Sequence, residues 1–124
     1  MSETKVINVR VANIRPQYNN LKEWMKDCNN VYIGRRCILV IDGIRYPKEN
    51  SIWANPYKIN DSTGITRNDV LEKYRTYIIQ KIENNYELKQ ELLQLKGKIL
   101  GCWCKPDGCH GDILVELIDK YSSE

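Results

Sequence analysis

Lys98-Ile99-Leu100-Gly101-Cys102-Trp103-Cys104, then Lys105-Pro106-Asp107-Gly108-Cys109-His110-Gly111-Asp112, then Ile113-Leu114-Val115-Glu116-Leu117-Ile118-Asp119-Lys120-Tyr121 is the stretch that decides the fold. Its first part is an apolar run of strand length. In its last part Leu114, Leu117, Ile118 and Tyr121 recur at three- and four-residue spacing, which predicts an amphipathic helix. A strand, a tight loop and a helix N-terminus form the junction at which many α/β proteins bind ligands or do chemistry. Between Cys102 and Asp112 lie three of the chain's five cysteines and its only histidine.

Working outward, Val6-Ile7-Asn8-Val9-Arg10 and Val31-Tyr32-Ile33 read as further strands rich in β-branched residues. Leu21, Trp24, Met25 and Cys28 keep helical spacing and end at Asn29-Asn30, which would put Cys28 in the core. Cys37-Ile38-Leu39-Val40-Ile41 and Ile44-Arg45-Tyr46 flank Asp42-Gly43, a strong two-residue hairpin signal, and Cys37 reads as a strand filler. Pro47 to Tyr57 is irregular. Thr66-Arg67-Asn68-Asp69 has the form of a helix start, after which Val70, Tyr74, Ile78 and Ile82 line one face. Leu88, Leu92, Leu93 and Leu95 mark another helix, stopped by Gly97. Strands interleaved with helices predict an α/β fold: a mixed β-sheet flanked by helices, in a single small domain over 1–124, with a β-hairpin insertion at 36–50.

The 124 residues suffice for one core without disulfide staples. An odd count of five cysteines behind a polar start, Met1-Ser2-Glu3-Thr4-Lys5, points to reduced thiols in an intracellular, soluble protein rather than to a disulfide framework. No apolar run approaches membrane-spanning length, so no membrane partner is expected. Residues 1–60 carry ten Lys and Arg against five Asp and Glu, whereas 61–124 carry nine against eleven. The first half is therefore basic, and its arginines suit phosphate or carboxylate. A solvated surface with structural ion pairs explains the same bias.

Three readings of the Cys-His loop compete. In one, the loop binds an anionic, nucleotide-like or phosphorylated small molecule at the helix start. Cys104, Cys109, His110 and Asp112 then carry any catalysis, and Gly101 and Gly111 let backbone approach the ligand. Adjacent residues in a helical turn point about 100° apart, so His110 is expected to face Cys104 or the ligand rather than Cys109. In the second, Cys102, Cys104, Cys109 and His110 hold zinc, although C-x-C-x₄-C-H is not a common zinc spacing; otherwise no cofactor is expected. In the third, the cysteines are core fillers and His110 is a hydrogen-bonded helix-start residue. Asn55 either caps its loop or hydrogen-bonds a ligand edge, and Trp53 is either core or a stacking platform.

Val6 to Arg10, Tyr32-Ile33-Gly34-Arg35, Ser51-Ile52-Trp53-Ala54-Asn55-Pro56, Leu71-Glu72-Lys73-Tyr74-Arg75 and Gly101-Cys102-Trp103-Cys104 through Cys109-His110-Gly111-Asp112 together resemble the uncharacterised family labelled domain of unknown function 4326. That family looks like a small intracellular α/β domain of bacteria, phages and large DNA viruses with no established activity. The resemblance implies that Arg10, Gly34, Arg35, Trp53, Asn55 and the Cys-His loop are neighbours around one pocket. Many members have Gly at the place of Ala54 and lack the 36–50 hairpin. The Cys-His element is also similar to one in another small family with a Cys-His-Arg motif, where Gly111 here replaces the arginine. The Asn-, Lys- and Ile-rich composition suits a large DNA virus, which would place the protein in host cytoplasm, nucleus or virion. The alternative to a small-molecule site is a non-enzymatic interaction protein, binding nucleic acid or a protein partner through the basic half, or a homodimer through the hairpin edge.

Overall fold

The computed structural model describes residues 4–36, 38–57, 61–103 and 109–123. Its centre is β5 (Ile99–Cys102), flanked by β1 (Lys5–Asn8) and β2 (Asn30–Tyr32), both parallel to it, in the order β1-β5-β2. Asn8 pairs with Cys102 and Tyr32 with Gly101, so the three strands end nearly flush. Each ladder runs one bond further, from Val9 N–H to the Cys102 carbonyl (3.0 Å) and from Ile33 N–H to the Gly101 carbonyl (2.9 Å). A central parallel strand is covered on both faces, which is why β5 reads as a continuous apolar run.

Strand alternation sorts the side chains into two clusters. On one face Ile33, Leu100 and Cys102 pack with α3 (Arg67–Glu83), α4 (Tyr86–Leu93) and α5 (His110–Ser122), through Tyr74, Ile78, Ile82, Leu92, Leu114 and Ile118. On the other, Ile7, Val9, Tyr32 and Ile99 pack with α1 (Val11–Ile14) and α2 (Leu21–Lys26), through Ile14, Leu21 and Trp24. The result is three layers, α/β/α. Gly101 faces the second cluster, where a Cβ would lie 2.5 Å from both Trp24 Cη2 and Val9 Cγ1. Its lack of a side chain is therefore what lets α2 close on β5.

The α3 helix begins as its sequence predicts: the Thr66 side chain accepts from Asp69 N–H and the Asp69 carboxylate accepts from Thr66 N–H. The hairpin is present as β3 (Leu39–Ile41) and β4 (Ile44–Tyr46), with Asp42 and Gly43 at φ 53° and 80° in the turn. Parallel and antiparallel pairings thus occur in two separate sheets. The hairpin leaves and rejoins at one point, where Ser51 N–H donates to the Gly34 carbonyl (3.0 Å) and Arg36 N–H to Asn50 Oδ1 (2.9 Å). Those bonds close the gap that the insertion would otherwise open.

The expectation for Cys28 fails: it is exposed. The α2 helix stops at Lys26 because Asp27 takes an extended C-cap conformation, and its carboxylate accepts from Asn29 N–H (3.0 Å) and the Tyr18 hydroxyl (2.7 Å). Cys28 is carried out with that turn. Cys37 lies outside the described residues. Among the described residues no helix is long and apolar enough to cross a membrane.

Candidate functional site at the cysteine-histidine junction

The junction is built by a close approach. At Gly111 a Cβ would lie 2.8 Å from Val6 Cγ1 and 2.9 Å from Ile33 Cδ1, so the first turn of α5 sits directly on β1 and on the residue that follows β2. This brings Cys109, the N-cap of α5, against the end of β5. The Cys109 sulfur accepts from Gly111 N–H at 3.3 Å, and the Asp112 carboxylate accepts from Cys109 N–H at 3.2 Å. A thiol here takes the capping place usually held by a hydroxyl or carboxylate. The same sulfur lies 2.8 Å from that of Cys102, and both residues are 1 % exposed.

His110 is fixed by the backbone. Its Nε2 is 2.7 Å from the carbonyl of Ile33, which can only accept, so Nε2 carries the proton and Nδ1 is the basic nitrogen. Nδ1 lies 3.7 Å from the Cys109 sulfur. His110 thus faces Cys109, contrary to the expectation from helical geometry. Cys109 is extended at φ −134° and ψ 147°, so the angle between neighbours in a helix does not apply to this pair. Asp112 serves as the cap, and the Ile33 carbonyl holds the imidazole.

Tyr74 of α3 packs edge-on against the His110 ring, with centroids 5.2 Å apart, and its hydroxyl donates to the Trp53 carbonyl at 2.7 Å. Burial pushes that hydroxyl well above the usual tyrosine range, with the neighbouring Tyr77 and Cys109 adding to the effect. Trp53 is itself a core residue, so its ring offers no stacking platform at the surface. The Arg35 guanidinium donates from Nε and Nη2 to the Asn55 carbonyl (3.1 and 2.8 Å) and from Nη2 to that of Tyr57 (2.8 Å). Asn55 Oδ1 accepts from Tyr57 N–H at 2.9 Å, the loop-capping role. Arg35, Trp53 and Asn55 therefore hold the 53–57 loop beside the junction.

The glycines have a different office from the one expected. The space above Gly34 is filled by Tyr32, whose hydroxyl would lie 2.5 Å from an added Cβ, and the spaces above Gly101 and Gly111 are filled by core side chains. All three permit internal packing. The Tyr32 hydroxyl donates to the Arg35 carbonyl (2.7 Å) and accepts from Trp103 Nε1 (2.8 Å). Burial is the main cause that pushes it up to about 12. Asn8 joins the same strand ends, donating to the Trp103 carbonyl at 3.1 Å and accepting from Arg10 N–H at 3.0 Å.

A hollow of about 240 Å³ opens between α3 and the start of α5, lined by Asn68, Leu71, Glu72, Arg75, Cys109, Asp112, Ile113 and Glu116. Its three carboxylates face one guanidinium, Arg75, which is itself bonded to Glu116. Cys104 lies outside the described residues. A zinc site would need it, since among the described residues no three metal-ligating side chains converge. It would also need the two sulfurs, now 2.8 Å apart, to separate to the roughly 3.8 Å of two thiolates on a tetrahedral zinc.

Sequence reasoning missed the Ile33 carbonyl, which has no side-chain signature, and the contact of Tyr74 with His110. Only the four-residue stripe on α3 pointed toward Tyr74. With this geometry in place, the comparison with known proteins is direct: residues 17–120 match the model of one family. The chain belongs to the domain of unknown function DUF4326. Val6 and Asn8 of β1 and Arg10 after it precede the span matched to DUF4326, whereas Ile33, Arg35, Trp53, Asn55, Tyr74 and the Cys-His loop fall inside it. An uncharacterised protein of Acanthamoeba polyphaga mimivirus is 34 % identical over 113 residues, covering 82 % of this chain and 78 % of that protein. An uncharacterised 12.4 kDa protein from the nrdA-td intergenic region of Enterobacteria phage T4 is 34 % identical over 70 residues, covering 56 % of this chain and 62 % of that one. Both relatives are viral, in keeping with the source that the composition suggested. No solved structure matches the chain.

Proposed function

We propose that this DUF4326 protein binds a nucleotide-like or other phosphorylated small molecule at the carboxyl ends of β1, β5 and β2. Any chemistry on that ligand falls to Cys109 and His110, with Cys104 in the connecting segment and Asp112 capping the helix. The observation that carries this reading is a pair of cations. Arg10 follows β1 by two residues and Arg35 follows β2 by three, and among the described residues neither has a carboxylate partner. Arg35 bonds only neutral carbonyls, so its charge is not cancelled. With β5 between them, the two chains are about 10 Å apart at neighbouring-strand spacings of about 4.8 Å, a gap that two arginine side chains can bridge to one phosphate group. The carboxyl edge of a parallel sheet is also where open α/β folds bind ligands.

The test is calorimetric titration of the reduced protein with pyrophosphate and with ADP. Binding is expected, and Arg10→Gln should weaken it about tenfold, equivalent to about 1.4 kcal/mol. No heat with either probe, or an unchanged affinity in the variant, overturns the reading. A second reading rests on the hairpin, where Ile38, Val40 and Ile44 are 47 %, 60 % and 57 % exposed and could cover a protein partner or a second copy. Concentration-dependent mass in sedimentation, together with no response to either probe, would favour it.

A further inference from the structure

We infer that Cys102 and Cys109 form a redox-active dithiol that closes to a disulfide on exchange with a low-molecular-weight disulfide. The inference stands apart from ligand binding at the strand ends. The two thiols come from different elements, the end of a buried strand and the cap of a helix, and their sulfurs are 2.8 Å apart. A disulfide bond is about 2.05 Å, so closure asks for a movement of less than an ångström. The approach is enforced by Gly111, whose missing Cβ lets the first turn of α5 settle against Val6 and Ile33.

The two sulfurs are not equivalent. Cys109 lines the hollow between α3 and α5, whereas Cys102 does not. Cys109 also receives the Gly111 N–H and faces the basic Nδ1 of His110, so it has both a donor for a sulfur anion and an acceptor for the thiol proton. In the exchange, the Cys109 proton passes to Nδ1 and its sulfur attacks one sulfur of RSSR. The S–S bond breaks, RS⁻ leaves, and a mixed disulfide forms on Cys109. The first RS⁻ takes the Nδ1 proton. Cys102 then attacks the Cys109 sulfur, and the second RS group leaves with the Cys102 proton as RSH. Two protein thiols lose two electrons and two protons, and RSSR becomes two RSH.

The experiment equilibrates the full chain with oxidised and reduced glutathione at a series of ratios, quenches with acid and an alkylating agent, and maps every cysteine by mass spectrometry. The expected product is a Cys102–Cys109 link that rises with the fraction of oxidised glutathione and reverses with reduced glutathione. Cys102→Ala should instead trap a glutathione adduct on Cys109. Cys109→Ser should leave Cys102 as a thiol, with circular dichroism confirming that both variants fold. The inference is overturned if both cysteines stay alkylatable in fully oxidising buffer, or if Cys109 pairs with Cys104 instead. It is also overturned if the purified protein carries one equivalent of zinc whose removal is needed before either thiol reacts.

Discussion

Replacing Gly101 by Ala puts a methyl group in place of a hydrogen at a crowded point of the fold. The new Cβ would lie 2.5 Å from Trp24 Cη2, 2.5 Å from Val9 Cγ1 and 2.9 Å from Trp24 Cζ3. The two separations of 2.5 Å are an ångström or more inside the optimum of about 3.5–4.0 Å between carbons. Neither neighbour has room to withdraw, because Trp24 and Val9 are 2 % and 1 % exposed. Overpacking of this kind costs about 1–3 kcal/mol, and two simultaneous clashes against buried groups put it at the upper end. Alanine returns about 0.5–1 kcal/mol through the lower entropy of its unfolded chain. The net loss is then about 2 kcal/mol. At about 2.1 cal/mol/K per residue, it lowers the melting temperature of a chain this size by about 8 °C. Urea unfolding followed by circular dichroism measures it directly. Trp24→Phe shortens the offending ring, so in the double variant the two losses should sum to at least about 1 kcal/mol less than the single changes predict. A Gly101→Ala protein within about 0.5 kcal/mol of wild type, or a cycle that is simply additive, would refute the account of why α2 meets β5 here.

Thr66→Ala removes the side-chain acceptor for Asp69 N–H at the start of α3 and should cost about 1 kcal/mol in the same urea assay. Above pH 10 the buried tyrosines should make the fold less stable. Tyr32 keeps its proton to about 12 in the fold, whereas an unfolded tyrosine loses it near 10, so this contribution is fully present below about pH 10 and is lost as the pH rises through about 12. Tyr74 shifts in the same direction, so Tyr32→Phe should make the decline in urea midpoint between pH 9 and 11 shallower without abolishing it.

Much of the architecture was legible because it depends on periodicity. The apolar run read as a strand over 98–104, the Asp42-Gly43 turn and the Thr66-to-Asp69 cap each encode a local conformation in side-chain type, and each element is present, the strand being shorter than its pattern at Ile99–Cys102. The start of α5 was harder to read. Its apolar pattern begins at Ile113, but the helix begins at His110 because Cys109 fills the N-cap, a place where cysteine carries no strong signal. Cys28 kept the spacing of α2 but not its conformation, since an Asp27 turn ended the helix before it. The contacts around His110 were not legible in the sequence. The group orienting His110 is a main-chain carbonyl, and the glycines serve packing contacts from distant segments, neither of which local pattern records.

The charges on the two sides of the junction argue for the direction from which a phosphorylated ligand would come. On the α3 side, Glu72, Asp112 and Glu116 outnumber Arg75, and a multiply charged phosphate entering there would meet carboxylates held within one small hollow. On the strand-end side stand Arg10 and Arg35, with no opposing carboxylate among the described residues. Cys109 and His110 lie at the boundary: Cys109 lines the acidic hollow, and His110 is tied to the strand ends through the bond from Nε2 to Ile33, the residue two before Arg35. An anion drawn to the arginines would therefore press on the segment whose carbonyl sets the His110 tautomer, while disulfide exchange uses the hollow side, where Cys109 lies. The two activities proposed for this junction thus need different faces, and substitution of Arg10 should change ligand affinity without changing which cysteines cross-link.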